Sequence, residues 1–383
     1  MIMKLKDCCT IIAGQSPDSK YYNTDGIGLP FFQGKADFGE LYPTIRVYCS
    51  QPTKIAEKDD ILLSVRAPVG PTNLAPCQVC IGRGLTAIRP SGLLNLKYVL
   101  FFFRYIEAQL QQKGTGTTFK AITQDTVKNL EIPVPSLDEQ ERIVLRIEEL
   151  FSQLDSGVET LRKTKQQLAV YRQAVLKEAF DSVGGYDCAI EDVCKEIKVG
   201  IVIKPTQYYV ESGGVRAFRN ANVRRGYIDD CDWVMISQDG HQQNKKSEVH
   251  EGDVLISRSG ANLGMASPVS QKYDGYNAID IVIAVPKTDV ILPAFLAHYT
   301  NSPAGRSIVK TNERGAAQGH LNVSVYGRLP ITIPSLEDQH ALVSRIEDKL
   351  SVCDSIEQTV DMALQQADAM RQSILKQAFE GAL

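Results

Sequence analysis

No apolar run in this sequence approaches the roughly 18 residues that a membrane-spanning helix needs. The most apolar stretch, Tyr98-Val-Leu-Phe-Phe-Phe-Arg104, is far shorter and is soon followed by Glu107. The opening segment, Met1-Ile-Met-Lys-Leu-Lys-Asp-Cys-Cys9, has no extended apolar core and no small-residue cleavage site, so a cytoplasmic location is expected rather than export. The cysteines follow no regular spacing, which fits a reducing compartment better than a disulfide scaffold. Cys77-Gln-Val-Cys80 has the spacing of half a zinc site, but no second Cys/His pair lies at a suitable distance, so no metal is expected. No GxxxxGK[ST] phosphate loop occurs, and Ile81-Gly-Arg-Gly84 is too short for a dinucleotide fingerprint. Signatures of a methyltransferase or a motor are missing too, so no catalytic residue is assigned.

Strong net charge is also lacking. A balance of -3 does not describe a uniformly basic nucleic-acid binder, but it conceals an asymmetry. Residues 1–128 carry 15 Lys+Arg against 10 Asp+Glu, and residues 129–180 carry 7 against 9. Residues 181–327 carry 15 against 17, and residues 328–383 carry 5 against 9. A basic face is thus possible on the first segment, while the segments at 129–180 and 328–383 are acidic.

What the chain does contain is itself, twice. Residues 129–180 align with residues 328–379 at an offset of 199, without a gap and with 22 of 52 positions identical. Each copy opens with a short apolar strand, Leu130–Val134 or Leu329–Ile333, ended by Pro135 or Pro334. Ser136 with Glu139 then forms a capping box, and Ser335 with Asp338 is its acidic equivalent. Beyond the caps the apolar spacing becomes helical. In the second copy Cys353, Ile356, Val360, Ala363, Ala367, Met370 and Ile374 step by threes and fours. In the first, Ile143, Ile147, Leu150, Leu154, Val158, Leu161, Leu168, Tyr171 and Val175 do nearly the same, with Gly157 and Lys165 interrupting. About 40 helical residues make a rod of roughly 60 Å. Such a rod cannot bury its stripe alone, so residues 138–180 and 337–379 are expected to pair antiparallel. Packing of each helix onto its own domain is the rival arrangement.

The preceding segments also match, though weakly. Asp60–Gly70 parallels Asp253–Gly264, Asp7–Gly14 parallels Asp192–Gly200, and the loop after Lys113 parallels the loop after Glu313. The expected class is α+β: two similar domains joined by two long helices that form an antiparallel coiled coil. Their boundaries are 1–128 and 181–327 for the domains, and 129–180 and 328–383 for the strand-plus-helix segments. Strands are expected at Ile61–Val65, Leu85–Ile88, Val254–Ser257 and Ile279–Ala284, and helices at Leu96–Gln112 and Pro293–Lys310. Asp181–Tyr186 and Gln238–Ser247 read as linkers, with His241–Lys246 as an exposed polar loop.

These residues resemble the DNA-specificity subunits of Type I restriction-modification systems. The paired IPVPSLDEQ and ITIPSLEDQ openings carry the resemblance, with DILLSVRAPVG, CIGRGLTAIRP, GDVLISRSGANLG and AGQSPDSKYYNTDGIGLPFFQG in family order. The resemblance implies a recognition subunit with no catalysis of its own, whose two target-recognition domains each read half of a split, asymmetric site in double-stranded DNA. It implies helices that act as a spacer and dock two modification (methyltransferase) subunits, with motor-nuclease restriction subunits joining the full complex. S-adenosylmethionine is then expected on the modification partners, and ATP and magnesium on the motor-nuclease, with no cofactor on this chain. A scaffold subunit that assembles a complex through protein contacts alone, without DNA, is the alternative.

Within that frame Arg66 and Arg258 each follow a matching apolar strand, where arginine's planar fork suits guanine or phosphate; a salt bridge is the rival role. Asn262 can address an adenine edge or cap its own turn. Lys113, Thr115, Thr118 and Lys120 lie in a Gly/Thr-rich loop suited to phosphate, and Arg314, Gln318 and His320 fall in the matching loop. Helix packing is expected through Leu154, Leu161, Leu168 and Val175 in the first rod, and through Ile356, Val360, Ala367, Met370 and Ile374 in the second. Gln166-Gln167 and Gln365-Gln366 mark polar faces left for partners.

Overall fold

The computed structural model describes residues 1–114, 121–311 and 320–381. The chain divides into two compact units, Met1–Leu161 with Met362–Leu383, and Arg162–Asp361. Each unit contains one globular domain and parts of both long helices.

The two domains share one topology. In the first, an antiparallel sheet runs in the order Cys9–Ala13, Leu85–Pro90, Ile61–Ser64, Thr72–Leu74. In the second the order is Cys194–Val199, Ile281–Pro286, Val254–Ser257, Ala266–Pro268. The central strands are buried on both faces, which explains why Ile61–Ser64 and Val254–Ser257 read as continuous apolar runs rather than alternating ones. A second small sheet in each domain contains a parallel pairing: Phe32 opposite Ile81, and Phe218 opposite Ala278. A two-stranded ribbon ties each domain to the start of its long helix, with Ile2–Lys4 on Glu131–Pro133 and Tyr186–Ala189 on Pro330–Ile333.

The long helices run Leu137–Asp181 and Leu336–Phe379. Ser136 accepts a bond from the Glu139 amide at 3.3 Å, and Ser335 accepts one from the Asp338 amide at 3.2 Å. The Glu139 carboxylate pairs with Arg142 rather than closing the box. In the first unit Arg371 pairs with Asp155 and lies over the Phe151 ring. In the second unit Lys165 pairs with Asp361, Arg172 with Glu357, and Lys349 with Glu178. Partner numbers fall as the helix number rises, so the helices pair antiparallel. Their outer ends also pack on domains. Val144 and Ile147 join Leu375 and Ala378 in the core of the first unit, and Leu176 and Ala179 join Leu342, Val343 and Ile346 in that of the second.

The pairing corrects the expected seam. Leu168, Val175, Val360 and Ala367 are buried, and Leu154, Leu161 and Ile374 partly so. Ile356 and Met370, however, are 41% and 47% exposed. The second helix turns inward Cys353, Glu357, Val360, Leu364, Ala367, Arg371 and Ile374, which alternate by four and three rather than three and four. Two of these seven positions hold charged side chains that pair across the seam. A stripe traced through apolar residues therefore passes one residue to the side of them. The same holds in the first helix, where Lys165 and Arg172 are seam residues and Tyr171 is exposed.

Three local expectations also change. The helix expected over Leu96–Gln112 breaks at Ile106 into Leu96–Tyr105 and Glu107–Lys113, with the Ile106 side chain buried at the break. The helix expected over Pro293–Lys310 breaks at Ser302, because Pro303 has no N–H to continue it. Gln238–Ser247 is not a linker but a helix, Gln238–Gln243, followed by a 3-10 turn, and His241 is buried with its ring on Asn277.

Candidate functional site

Both central strands end on a serine whose hydroxyl folds the following turn back. Ser64 Oγ donates to the carbonyls of Arg66 and Pro68, at 3.1 and 2.9 Å. Ser257 Oγ donates to Asn220 Oδ1 at 2.9 Å and reaches the Ser259 carbonyl at 3.5 Å. The amide of Gly70 bonds the Ser64 carbonyl and that of Gly264 bonds the Ser257 carbonyl, so the two serines are equivalent. Further along, the Ile122 amide bonds the Val65 carbonyl where the Leu321 amide bonds that of Arg258. Arg258 is therefore the counterpart of Val65, not of Arg66. The expected pairing of the two arginines is out by one residue, and a one-residue shift along a strand reverses the facing of a side chain.

The consequence is visible in their partners. Arg258 is mostly buried, donating from Nη1 to Asp280 and from Nε to the Leu321 carbonyl, each at 2.9 Å. The Asn262 side-chain amide donates to the Asn220 carbonyl at 2.9 Å, a bond to another loop rather than a cap of its own turn. Arg258 is thus in the ion pair that stood as its rival role, whereas Asn262 ties two loops together. Arg66 is exposed, and its backbone bridges Ala121, so the loop expected to approach DNA returns to the strand end beside it. Lys113 is exposed at the end of its helix, and His320 is exposed next to Leu321. Thr115, Thr118, Lys120, Arg314 and Gln318 lie outside the described residues.

Around Arg66 the first unit has a cleft of about 280 Å³ between four loops. Lys35, Arg66 and Arg83 line it with Ser16, Gln33, Ser64 and the glycines at 34 and 84; among the described residues no carboxylate lines it. Among the described residues none of these three cations has an ion-pair partner. Close loop packing requires the glycines: a Cβ on Gly84 would lie 2.3 Å from the Gln33 carbonyl oxygen, and one on Gly14 would lie 2.1 Å from that of Gly82. Sequence reading missed Lys35 and Arg83. Their only signal was adjacency to glycine, in Gly34-Lys35 and Gly82-Arg83-Gly84.

In the second unit the matching loops are filled. Between the paired strands, Gly82-Arg83-Gly84 of the first unit corresponds to the shorter Ile279-Asp280. The Gly84 carbonyl accepts the Val65 amide at 2.9 Å in the first unit. With one residue fewer, the second unit satisfies the equivalent Arg258 amide through Asn220 Oδ1 at 2.7 Å. Asn220 also donates to Ser259 Oγ and to the Asp280 carbonyl, at 3.0 and 3.1 Å. Counting two residues on from Phe32 and Phe218, Gly34 stands where Asn220 stands. One scaffold thus carries a cationic cleft in one copy and, in the other, loops tied together by Asn220 beside an Arg258–Asp280 pair.

Burial pushes the thiols of Cys9 and Cys194 up to about 12, which keeps them protonated and poorly nucleophilic. Among the described residues no three His, Cys, Asp or Glu side chains are placed to hold a metal ion, and no helix is long and apolar enough to cross a membrane.

The family model of the Type I restriction modification DNA specificity domain matches residues 1–169. A Methanocaldococcus jannaschii protein assigned as the Type I restriction enzyme MjaX specificity subunit is 41% identical over 167 residues, 43% of this chain and 38% of that protein. The Type I restriction enzyme EcoBI specificity subunit of Escherichia coli is 28% identical over 310 residues, 74% of this chain and 65% of its own length. Over residues 1–169, this chain is therefore similar to Type I DNA-specificity domains. It spans less than two thirds of the length of those two relatives. Among solved structures, the HsdS subunit from Thermoanaerobacter tengcongensis is 48% identical where it aligns, over 40% of this chain and 37% of its own, with a TM-score of 0.38. Within the chain, the two copies of the repeat depart from each other at the strand-end loops, while the sheet order is the same in both.

Proposed function

We propose that this chain is the non-catalytic DNA-specificity component of a cytoplasmic Type I restriction-modification assembly. Each domain reads one half of a split site in double-stranded DNA, and the long helices act as the spacer. The observation that carries this reading is the contrast between the strand-end loops of one repeated scaffold. Different loop chemistry on equal frames is what two unlike half-sites require. A single domain offers a few contacts of about 1–3 kcal/mol each, so two domains add discrimination and impose a fixed gap.

Two modification subunits would dock on the helices, in keeping with the repeat, and motor-nuclease subunits would complete the restriction form. S-adenosylmethionine would then be held by the former, and ATP and magnesium by the latter, with adenine methylation performed on the partners. Methylome sequencing of cells with and without the gene tests this. Loss of one bipartite adenine-methylated motif is expected, and an unchanged methylome would favour a protein-only scaffold.

A further inference from the structure

We propose that the cleft of the first unit seats a DNA backbone phosphate between Lys35, Arg66 and Arg83, and that it is open because Gly34 replaces the asparagine that fills the second unit. This deepens the DNA-reading function above and rests on it.

Three cations face one cleft with no carboxylate lining it and no ion-pair partner among the described residues. A bound anion would add a partner that all three cations can share. In the second unit the strand-end arginine stands one residue earlier, at the counterpart of Val65, and is paired with Asp280 at 2.9 Å. The two strand ends therefore differ in both the placement and the pairing of their arginine. A phosphate suits three cations spread around one cleft, since it offers charged oxygens on several sides, whereas a guanine edge offers its two acceptors to a single arginine fork. The half-site read by the first unit would accordingly be bound with the steeper salt dependence.

Gly34 allows a clean test. Its backbone is extended, with φ at -173°, and a Cβ there meets nothing within 4 Å, so a side chain can be added without strain. Gly34→Asn imports the residue of the second unit, and Gly34→Asp adds a carboxylate of the same shape. Arg83→Ala removes one cation directly. With the full-length chain, binding to a mixed-sequence DNA duplex is measured across a salt series, and thermal melting checks the fold of each variant. For Arg83→Ala the slope of log affinity against log salt should fall by about one. Gly34→Asp should bind more weakly than Gly34→Asn, at equal melting temperature. Wild-type slopes in both Arg83→Ala and Gly34→Asp would overturn the proposal. So would a loss confined to one base of the methylated motif, which would mark a base contact. Failure of the wild-type chain to bind any duplex would instead overturn the DNA-reading function itself.

Discussion

Gln140 and Gln339, 199 residues apart, fasten each long helix to its domain in the same way, and both are fully buried. The Gln140 amide nitrogen donates to the carbonyls of Leu93 and Pro135, both at 3.0 Å, and its oxygen accepts the Asn95 amide at 2.8 Å. Gln339 makes the same three bonds, to Val290, Pro334 and Leu292, at 2.8, 3.1 and 2.8 Å. Each satisfies backbone groups that would otherwise be buried without partners. Replacing either by alanine is expected to cost about 1–3 kcal/mol in urea unfolding, and glutamate more, since it loses a donor and buries a charge. Wild-type stability in both alanine variants would contradict this role. The pair was legible as identity within the PSLDEQ and PSLEDQ openings, but the capping rule draws attention to the acids before it. Arg66 and Arg258 were legible as arginines after strands, but not as inequivalent. Only the backbone bonding that follows each strand shows the one-residue offset.

At the level of elements, sequence pattern located the helices and strands because their periods are local properties. It did not locate the phase of the seam, because Glu357 and Arg371 enter the interface as paired charges and a hydrophobic count passes over them. Such pairs, partly exposed, contribute at most about 1 kcal/mol each. They nonetheless specify register, since a slipped helix would oppose unlike partners. The corrected phase makes a direct prediction. Ala367→Glu, placing a carboxylate in the buried seam of the isolated chain, should destabilise by more than about 2 kcal/mol, while Met370→Glu, facing solvent, should change stability by no more than about 0.5 kcal/mol. Thermal and urea unfolding of the two variants decide the matter, and the reverse order would restore the seam drawn through Met370. The helix at Gln238–Gln243 escaped notice for a related reason. Its polar composition reads as loop, and what holds it is the tertiary bond from His241 to Asn277.

For the molecule as a whole, repetition was the feature that sequence disclosed most fully. An ungapped match over 52 residues required two helices of one kind, and weaker matches required two domains of one topology. What it withheld was how the copies differ at the surface where reading would occur. That difference depends on one loop being a residue longer and on a glycine facing an asparagine, neither of which carries a periodic signal. Two such surfaces would read separate halves of one DNA site. The decisive measurement is methylome sequencing after residues 181–327 are exchanged for the matching domain of a relative with a different target. One half of the methylated motif should change while the other half and the gap between them stay as they were; a change in both halves, or in the gap, would refute separate reading.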